Sequence, residues 1–153
     1  MKLLPIPLDQ VDSMWGYIEP IIKKAVDLTP DRISTQDLYD SAKAGGYLLW
    51  IVCEEENEKL IIQAVLSTRV LQYPKTKALA IDFVAGQKMK DWLRTVMEKF
   101  EELGKLNQCT HIEGYGRKAW QKYLNEYGWK QRHIQYEKRL DNEQGQKQYP
   151  TGD

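Results

Sequence analysis

The sequence predicts an α/β (α+β) fold, with a mixed, mostly antiparallel central sheet and helices on both faces, in the order β-α-α-β-β-β-α-β-α-β. Three observations give this prediction. Two β-rich runs, "YLLWIVCEE" and "KLIIQAVLSTRVL", are separated by a few polar residues and indicate a hairpin. A long helical pattern begins at Met89. Strand and helix patterns then alternate, which favours crossover connections.

The start of the chain predicts one strand followed by a helix. Lys2–Ile6 is the first strand, and Asp9 is placed to cap a helix. Apolar residues recur at helical spacing from Val11 to Val26. Pro20 interrupts this pattern and predicts a break or kink in the helix.

The next segment predicts a short capped helix and then the hairpin. Ser34 and Asp37 have the spacing of a capping box, with Asp in place of the usual Glu or Gln. Gly45-Gly46 suits the left-handed end of that helix. The polar "ENE" between the two β runs predicts a hairpin turn longer than the tightest type.

The second half of the chain completes the predicted order. Ala78–Val84 is the third β-rich run and predicts another strand of the sheet. The helix from Met89 covers about four turns and is predicted to end from Gly104 onward. The remaining elements are "THIEGYG" as a strand, Arg117–Tyr127 as a helix closed by Gly128, and Trp129–Leu140 as a final strand.

Length and composition predict one domain, residues 1–140, followed by a polar and disordered tail, 141–153. The 22 basic and 22 acidic residues balance, which argues against a protein that coats nucleic acid. No apolar run approaches the roughly 20 residues that cross a bilayer. Cys53 and Cys109 form no disulfide framework or zinc motif. We therefore expect a soluble, cytoplasmic protein with reduced thiols.

The predicted order resembles the GNAT acyltransferase fold over residues 1–140. The stretch "KAWQKYLNEYGWKQ" is similar to the late helix and following strand of that family, with Gly128-Trp129 at the helix end. The resemblance implies direct transfer of an acetyl or acyl group from acyl-CoA to an amine. The run "IEGYGRKAW" also resembles GNAT-like proteins of tailed phages. This second likeness implies an alternative, a catalytically inactive binding or structural module associated with phage particles or infected cells.

The family binds the coenzyme A pyrophosphate at a loop before its third helix, with the pattern Arg or Gln, two residues, Gly, one residue, Gly or Ala. The corresponding stretch here is "DFVAGQKMKDW", which has a Gly and a Gln but not that spacing. By resemblance, backbone groups of Val84, Ala85 and Gly86 hold the pantetheine arm. By the same resemblance, the pyrophosphate binds at Gly86, Gln87, Lys88 and Lys90. Without a ligand, Lys88 and Lys90 extend into water near the helix start.

Two carboxylates are candidates for the base that the resemblance implies. Asp82 interrupts an apolar strand, and a carboxylate facing inward there would have a raised pKa. If it faces outward, Asp82 is only the polar phase of the strand. Glu113, next to Gly114, either contacts substrate or pairs with a neighbouring Lys or Arg.

The family also uses a Tyr near the late helix to protonate the leaving thiolate. Its usual position, four residues before the helix-ending Gly, is Leu124 here, and Tyr123 is one residue away. Tyr123 is therefore a candidate acid, or a member of a packing face with Trp120 and Tyr127. Arg117 follows two glycines and either holds a phosphate or carboxylate of the substrate or extends into solvent.

Other site types find less support. His111 and His133 lie on separate predicted strands without a third zinc ligand, so no metal is expected. Neither a nucleophile elbow nor a phosphate-binding Walker loop is present. The expected partners are a small-molecule or protein amine acceptor and a second copy of the chain, paired through aromatic residues of the last strand. Nucleic acid and membrane are not expected partners.

Overall fold

The computed structural model describes residues 1–141 and contains two compact units, Met1–Tyr115 and a second that begins at Gly116. The strands of the first unit are β1 (Lys2–Ile6), β2 (Leu48–Glu56), β3 (Lys59–Gln72), β4 (Lys77–Gly86) and β5 (His111–Gly114). Its α-helices are α1 (Val11–Val26), α2 (Thr35–Lys43) and α3 (Met89–Leu106). The strands pair in chain order, antiparallel except for β4 with β5. The predicted mixed, mostly antiparallel sheet is confirmed.

Helices α1 and α2 cover one face of the sheet. Their buried residues Ile18, Ile22 and Leu38 belong to one apolar cluster with Leu49 and Val65 of the strands. Burial of such side chains contributes about 1.5–3 kcal/mol each, which is enough to hold a helix against a sheet.

The start of α1 differs from the sequence prediction. Asp9 lies in a 3₁₀ turn, and the residue that precedes the helix is Gln10, whose side chain makes no capping bond. The helix is continuous through Pro20, which is on its exposed side. The predictions of a cap at Asp9 and a break at Pro20 are therefore wrong, because packing of the apolar face overrides the local signals.

Helix α3 covers the opposite face of the sheet. Trp50 lies between two β2 residues of the α1 cluster, so it faces the other way. Its ring packs edge-on against Phe100 of α3 at 5.3 Å, and its Nε1 donates to Thr68 Oγ1 at 2.9 Å. The prediction of helices on both faces is confirmed.

Helix α3 is longer than predicted, with 18 residues, because Gly104 is inside the helix rather than at its end. Gly104 is buried there, and a side chain at its position would reach Cys109 and Ile112 at contact distance. Among the described helices, none is long and apolar enough to cross a membrane.

The turns of the first unit follow the sequence signals in part. The capping box is present, because Ser34 Oγ accepts from the N–H of Asp37 and the Asp37 carboxylate accepts from the N–H of Ser34. Gly45 has the predicted positive φ of 85°. The β2–β3 turn is shorter than predicted: Asn57 and Glu58 both have positive φ, 52° and 64°, as in the tightest hairpins.

The second unit consists of short elements as far as it is described. Helix α4 (Gln121–Leu124) lies between two 3₁₀ turns, Lys118–Trp120 and Asn125–Tyr127, and Gly128 ends them with φ of 82°. These turns replace the single predicted helix. The predicted final strand Trp129–Leu140 is wrong, because this segment has no strand and nearly all its side chains are exposed. Apart from residue 141, the predicted tail lies outside the described residues.

Candidate functional site

The sheet opens between β4 and β5 beyond Ile81. The parallel pairing starts at Ala78 with His111 and ends at Ile81 with Gly114. Strand β4 continues to Gly86, and there it pairs only with β3 within the first unit. The backbone of residues 82–86 therefore has one edge that is free of strand partners in this unit.

A bulge in β4 marks the start of the opening. Thr68 pairs with Ile81 and Leu66 pairs with Val84. Between these two pairs there is one residue on β3 but two residues on β4. The extra residue lies at Asp82-Phe83, and the N–H of Phe83 donates to Ser67 Oγ at 3.1 Å instead of to the ladder.

The bulge determines which backbone groups face the opening. After it, the N–H of Gln87 donates to the carbonyl of Gln63 at 2.9 Å. Because hydrogen-bonded positions alternate along an antiparallel strand, Ala85 also points toward β3. The N–H and C=O groups of Val84 and Gly86 consequently point to the open edge.

Gly86 is required at its position. Its φ is 146°, and an added Cβ would lie 2.3 Å from the carbonyl oxygen of Gln63 and 2.5 Å from Cα of Ala64. Both neighbours are backbone atoms of β3 and cannot rotate away. Only glycine fits this close approach.

The N-terminus of α3 directly follows the open edge. Lys88 precedes the helix in a left-handed conformation, φ 59°, and its side chain makes no capping bond. Its ammonium group instead pairs with Glu54 Oε1 at 3.2 Å, which lowers the pKa of Glu54 below its ordinary 4.5. Lys90 is exposed in the first turn of α3. The two lysines thus differ, since Lys88 already has an ionic partner.

The loop before α3 is tied to β3 and to the helix. Gln87 Nε2 donates to Gln63 Oε1 at 3.0 Å, and Trp92 Nε1 donates to the Gln87 carbonyl at 2.8 Å. Gln63 is buried and also donates to Glu54 Oε1 at 2.6 Å. The predicted pyrophosphate loop is therefore held in place by side chains of three elements.

Asp82 faces the α1 side of the sheet and is paired there. Its carboxylate accepts two bonds from Arg69, from Nε at 2.6 Å and from an Nη at 3.0 Å, and its side chain is only 11% exposed. The Arg69 guanidinium also lies over the ring of Tyr47. Burial first, and then the charge of Asp82, raise the pKa of Tyr47 above 10.0. Asp82 faces inward, but a guanidinium neutralises its charge.

Glu113 lies on the same face as Asp82. Arg69 pairs with Ala80, and Ala80 pairs with Glu113, so the three side chains share one side of the sheet. The Tyr73 hydroxyl donates to the Glu113 carboxylate at 2.8 Å, and His111 Nε2 lies 3.0 Å from it. The hydrogen bond from Tyr73 to Glu113 raises the pKa of Tyr73 above its ordinary 10.0. The sequence interpretation that pairs Glu113 with a Lys or Arg is wrong, because its partners are Tyr73 and His111.

The two remaining candidates belong to the second unit. Tyr123 is half-buried, packs edge-on against Trp120 at 6.4 Å and has the ammonium of Lys122 4.9 Å from its ring centre. Arg117 is exposed and precedes the first 3₁₀ turn. The contacts of Tyr123 agree with its packing role, while the acid role of Tyr123 and the substrate role of Arg117 stay predictions.

Sequence reasoning missed Arg69, Tyr73 and Glu54. Arg69 left a signal, since it is a charge inside the apolar run "LSTRVL" and needs an acidic partner if it faces inward. Tyr73 is in the β3–β4 turn and meets Glu113 only through the crossover of α3. No local pattern could have paired them. Within residues 1–141, no three His, Cys, Asp or Glu side chains are grouped to hold a metal ion.

Comparison with known proteins supports the fold. The chain is similar to a probable acetyltransferase (TM-score 0.67, 8% identity, 94% of this chain and 100% of the other). It is also similar to a GCN5-related N-acetyltransferase from Ralstonia eutropha JMP134 (0.66, 13%, 92% and 99%). A third similar structure is a predicted acetyltransferase with acetyl-CoA from Clostridium acetobutylicum (0.60, 15%, 91% and 96%). No protein-family profile and no curated protein sequence matches the chain.

These likenesses show that the chain has the fold of GNAT acetyltransferases. At 8–15% identity they show the fold alone. The chemistry depends on the residues of the opening.

Proposed function

We propose that this protein is an N-acyltransferase that transfers an acetyl or related acyl group from acyl-CoA to an amine. The observation that carries the proposal is the opening after Ile81. There, the outward backbone groups of Val84 and Gly86 lead directly into the N-terminus of α3.

This arrangement suits a long, amide-containing and anionic molecule. The backbone edge at Val84 and Gly86 offers hydrogen bonds to the amides of a pantetheine arm, as an added strand would. The N–H groups at the start of α3, with Lys90 beside them, offer a site for a pyrophosphate. Gly86 allows the chain to pass close to β3 between these two parts.

The chemistry is direct transfer. The amine nitrogen attacks the thioester carbonyl carbon, the C–N bond forms, the C–S bond breaks, and the thiolate leaves with a proton. Glu113 takes the proton of the amine, directly or through one water, because among the described residues it pairs with no lysine or arginine, whereas Asp82, the other candidate, is paired with Arg69. Asp82 positions Arg69 and Tyr47 instead. Tyr123 and Arg117 stay candidates for the acid and for substrate binding.

A turnover assay tests this function. The purified protein is mixed with acetyl-CoA and a panel of primary amines, and both the released thiol and the acetylated amine are measured. Glu113→Gln is expected to lower kcat about a hundredfold or more. Glu98→Gln, an exposed position on α3, is the control and keeps full activity.

The rival function is a GNAT-fold binding or structural module without catalysis, in a phage-associated role. Two ion pairs favour it, because each engages a residue that the acyltransferase would use. Lys88 is paired with Glu54, and Asp82 is paired with Arg69. A protein that binds no acetyl-CoA and acetylates none of the amines would support this rival. The interface for a second copy would then be the next question.

A further inference from the structure

A group of side chains on the α1 face of the sheet lies next to the opening and is not explained by the fold. We define the β5 cluster as Tyr73, Thr110, His111, Glu113 and Tyr115. His111 Nδ1 is 2.9 Å from Thr110 Oγ1, and its ring stacks on Tyr73 with centroids 6.3 Å apart. Thr110 and Tyr73 thus fix the ring of His111 between them.

Glu113 at the centre of the β5 cluster has hydrogen-bonding capacity left. An ionised carboxylate offers about four acceptor positions. Tyr73 has one O–H to donate although it approaches both oxygens, and His111 donates at most one N–H from Nε2. About 26% of the Glu113 side chain remains exposed, so a further donor can reach it.

On this face of the sheet, Glu113 is a negative charge that no lysine or arginine among the described residues balances. On this face, the guanidinium of Arg69 is bonded to both oxygens of Asp82. Among the described residues, Glu113 forms no ion pair with a lysine or arginine. A ligand that brings its own positive charge would therefore be stabilised at Glu113.

Aromatic rings border the same point. Tyr73 is stacked on His111, and Tyr115 is 75% exposed. The pKa of Tyr73 is raised chiefly by its hydrogen bond to Glu113 and to a smaller extent by the nearby hydroxyl of Tyr115. Rings around a carboxylate favour an ammonium group, which is attracted by both.

The β5 cluster is also in the right place relative to the opening. Glu113 directly precedes Gly114, whose pair with Ile81 is the last one between β4 and β5. An added Cβ on Gly114 would lie 2.9 Å from the carbonyl of Ile81, so the two strands are tightly joined just before they part.

We infer that the β5 cluster is the acceptor site and that it selects amines that carry no acidic group and have an aromatic or other apolar body. Glu113 binds the ammonium and the rings of Tyr73 and Tyr115 contact the body. This inference rests on the proposed function for its role in catalysis, but the binding of the cation itself does not require acyl-CoA.

The test compares two acceptors that share the same ring and amine. 2-Phenylethylamine has the features that the β5 cluster selects, and phenylalanine adds a carboxylate to it. We expect kcat/KM to be at least tenfold higher for 2-phenylethylamine. Glu113→Gln should reduce this ratio to near one, and Glu101→Gln, exposed on α3, should leave it unchanged. A wild-type enzyme that uses phenylalanine equally well would overturn the inference and leave the acyltransferase proposal intact.

A binding experiment without acyl-CoA separates the two proposals. The ring resonances of His111 are followed by NMR as 2-phenylethylamine is added to the full chain. Saturable shifts that are lost in Glu113→Gln support the acceptor site even if acetyl-CoA does not bind, which would defeat only the acyltransferase proposal. Unchanged His111 resonances at millimolar amine would overturn the inference.

A second variant tests the inference independently, in case Glu113→Gln does not fold. Tyr73→Phe keeps the stacked ring but removes the hydroxyl that orients Glu113. We expect KM for 2-phenylethylamine to rise two- to fivefold, with a smaller change for phenylalanine. An equal rise for both amines would contradict recognition of charge at Glu113.

Discussion

Arg69 and Asp82 are joined by a two-point ion pair on the α1 face of the sheet, with bonds of 2.6 and 3.0 Å. Their strands are neighbours, and the bulge that opens the sheet begins at Asp82. The pair therefore links the geometry of the opening to β3. Because Asp82 is engaged by Arg69, the proposed proton transfer is assigned to Glu113.

Removing one member of this pair should destabilise the fold. Asp82→Ala is expected to lower the free energy of unfolding by about 1–3 kcal/mol, because Arg69 loses its partner but keeps partial contact with water. Urea unfolding measures the change. The double variant Arg69→Met/Asp82→Ala should cost less than the two single variants added together. Strict additivity would show that the pair is not coupled.

Gly86 should tolerate no side chain. Gly86→Ala is expected to lower the free energy of unfolding by about 2 kcal/mol or more, because a Cβ would overlap backbone atoms of β3. Gly16→Ala is a matched control, since Gly16 is in α1 with open space around it. That change should raise stability by about 0.5–1 kcal/mol. Similar thermal shifts in the two variants would contradict the structure of the β4 end.

Tyr73 should ionise only at high pH. Its hydroxyl donates to Glu113, so the folded protein favours the protonated phenol and its pKa lies above 10.0. The stabilisation from this bond is complete below pH 10 and is lost as pH rises through the raised pKa. Ultraviolet titration of wild type minus Tyr73→Phe should give a midpoint above 10.0. A midpoint at or below 10.0 would rule out the bond.

Glu54 should restrain the binding of an anion at α3. Its carboxylate holds Lys88, and its negative charge is close to the start of the helix. Glu54→Gln frees Lys88 and removes that charge, so we expect acetyl-CoA to bind about three- to tenfold more tightly. Glu56→Gln, an exposed change at the end of β2, is the control. Weaker binding in Glu54→Gln would show that the Glu54–Lys88 pair helps to shape the site.

The sequence was sufficient for the elements that depend on local patterns. The hairpin strands, the apolar face of α3, the Ser34–Asp37 capping box and the glycine at 128 are all signals within a few residues of each other. They are present in the structure at or near the predicted positions. The order of elements along the chain followed from them as far as β5.

The sequence was not sufficient where the structure depends on contacts between residues that are far apart in the chain. The bonds from Tyr73 to Glu113 and from Lys88 to Glu54 join positions 40 and 34 residues apart. Pro20 was tolerated because the rest of α1 packs on the sheet, and Trp129–Leu140 formed no strand because its side chains are mostly exposed. The spacing of apolar residues and their secondary-structure propensities contain no information on such long-range packing.

The most direct test of the central claim is a calorimetric titration of acetyl-CoA into the purified protein. We predict a dissociation constant in the micromolar range, and at least a tenfold weaker one for Lys88→Gln/Lys90→Gln at the start of α3. Lys99→Gln/Lys105→Gln removes the same charge from the far part of that helix and should bind as the wild type does. No heat of binding at millimolar acetyl-CoA would contradict the account.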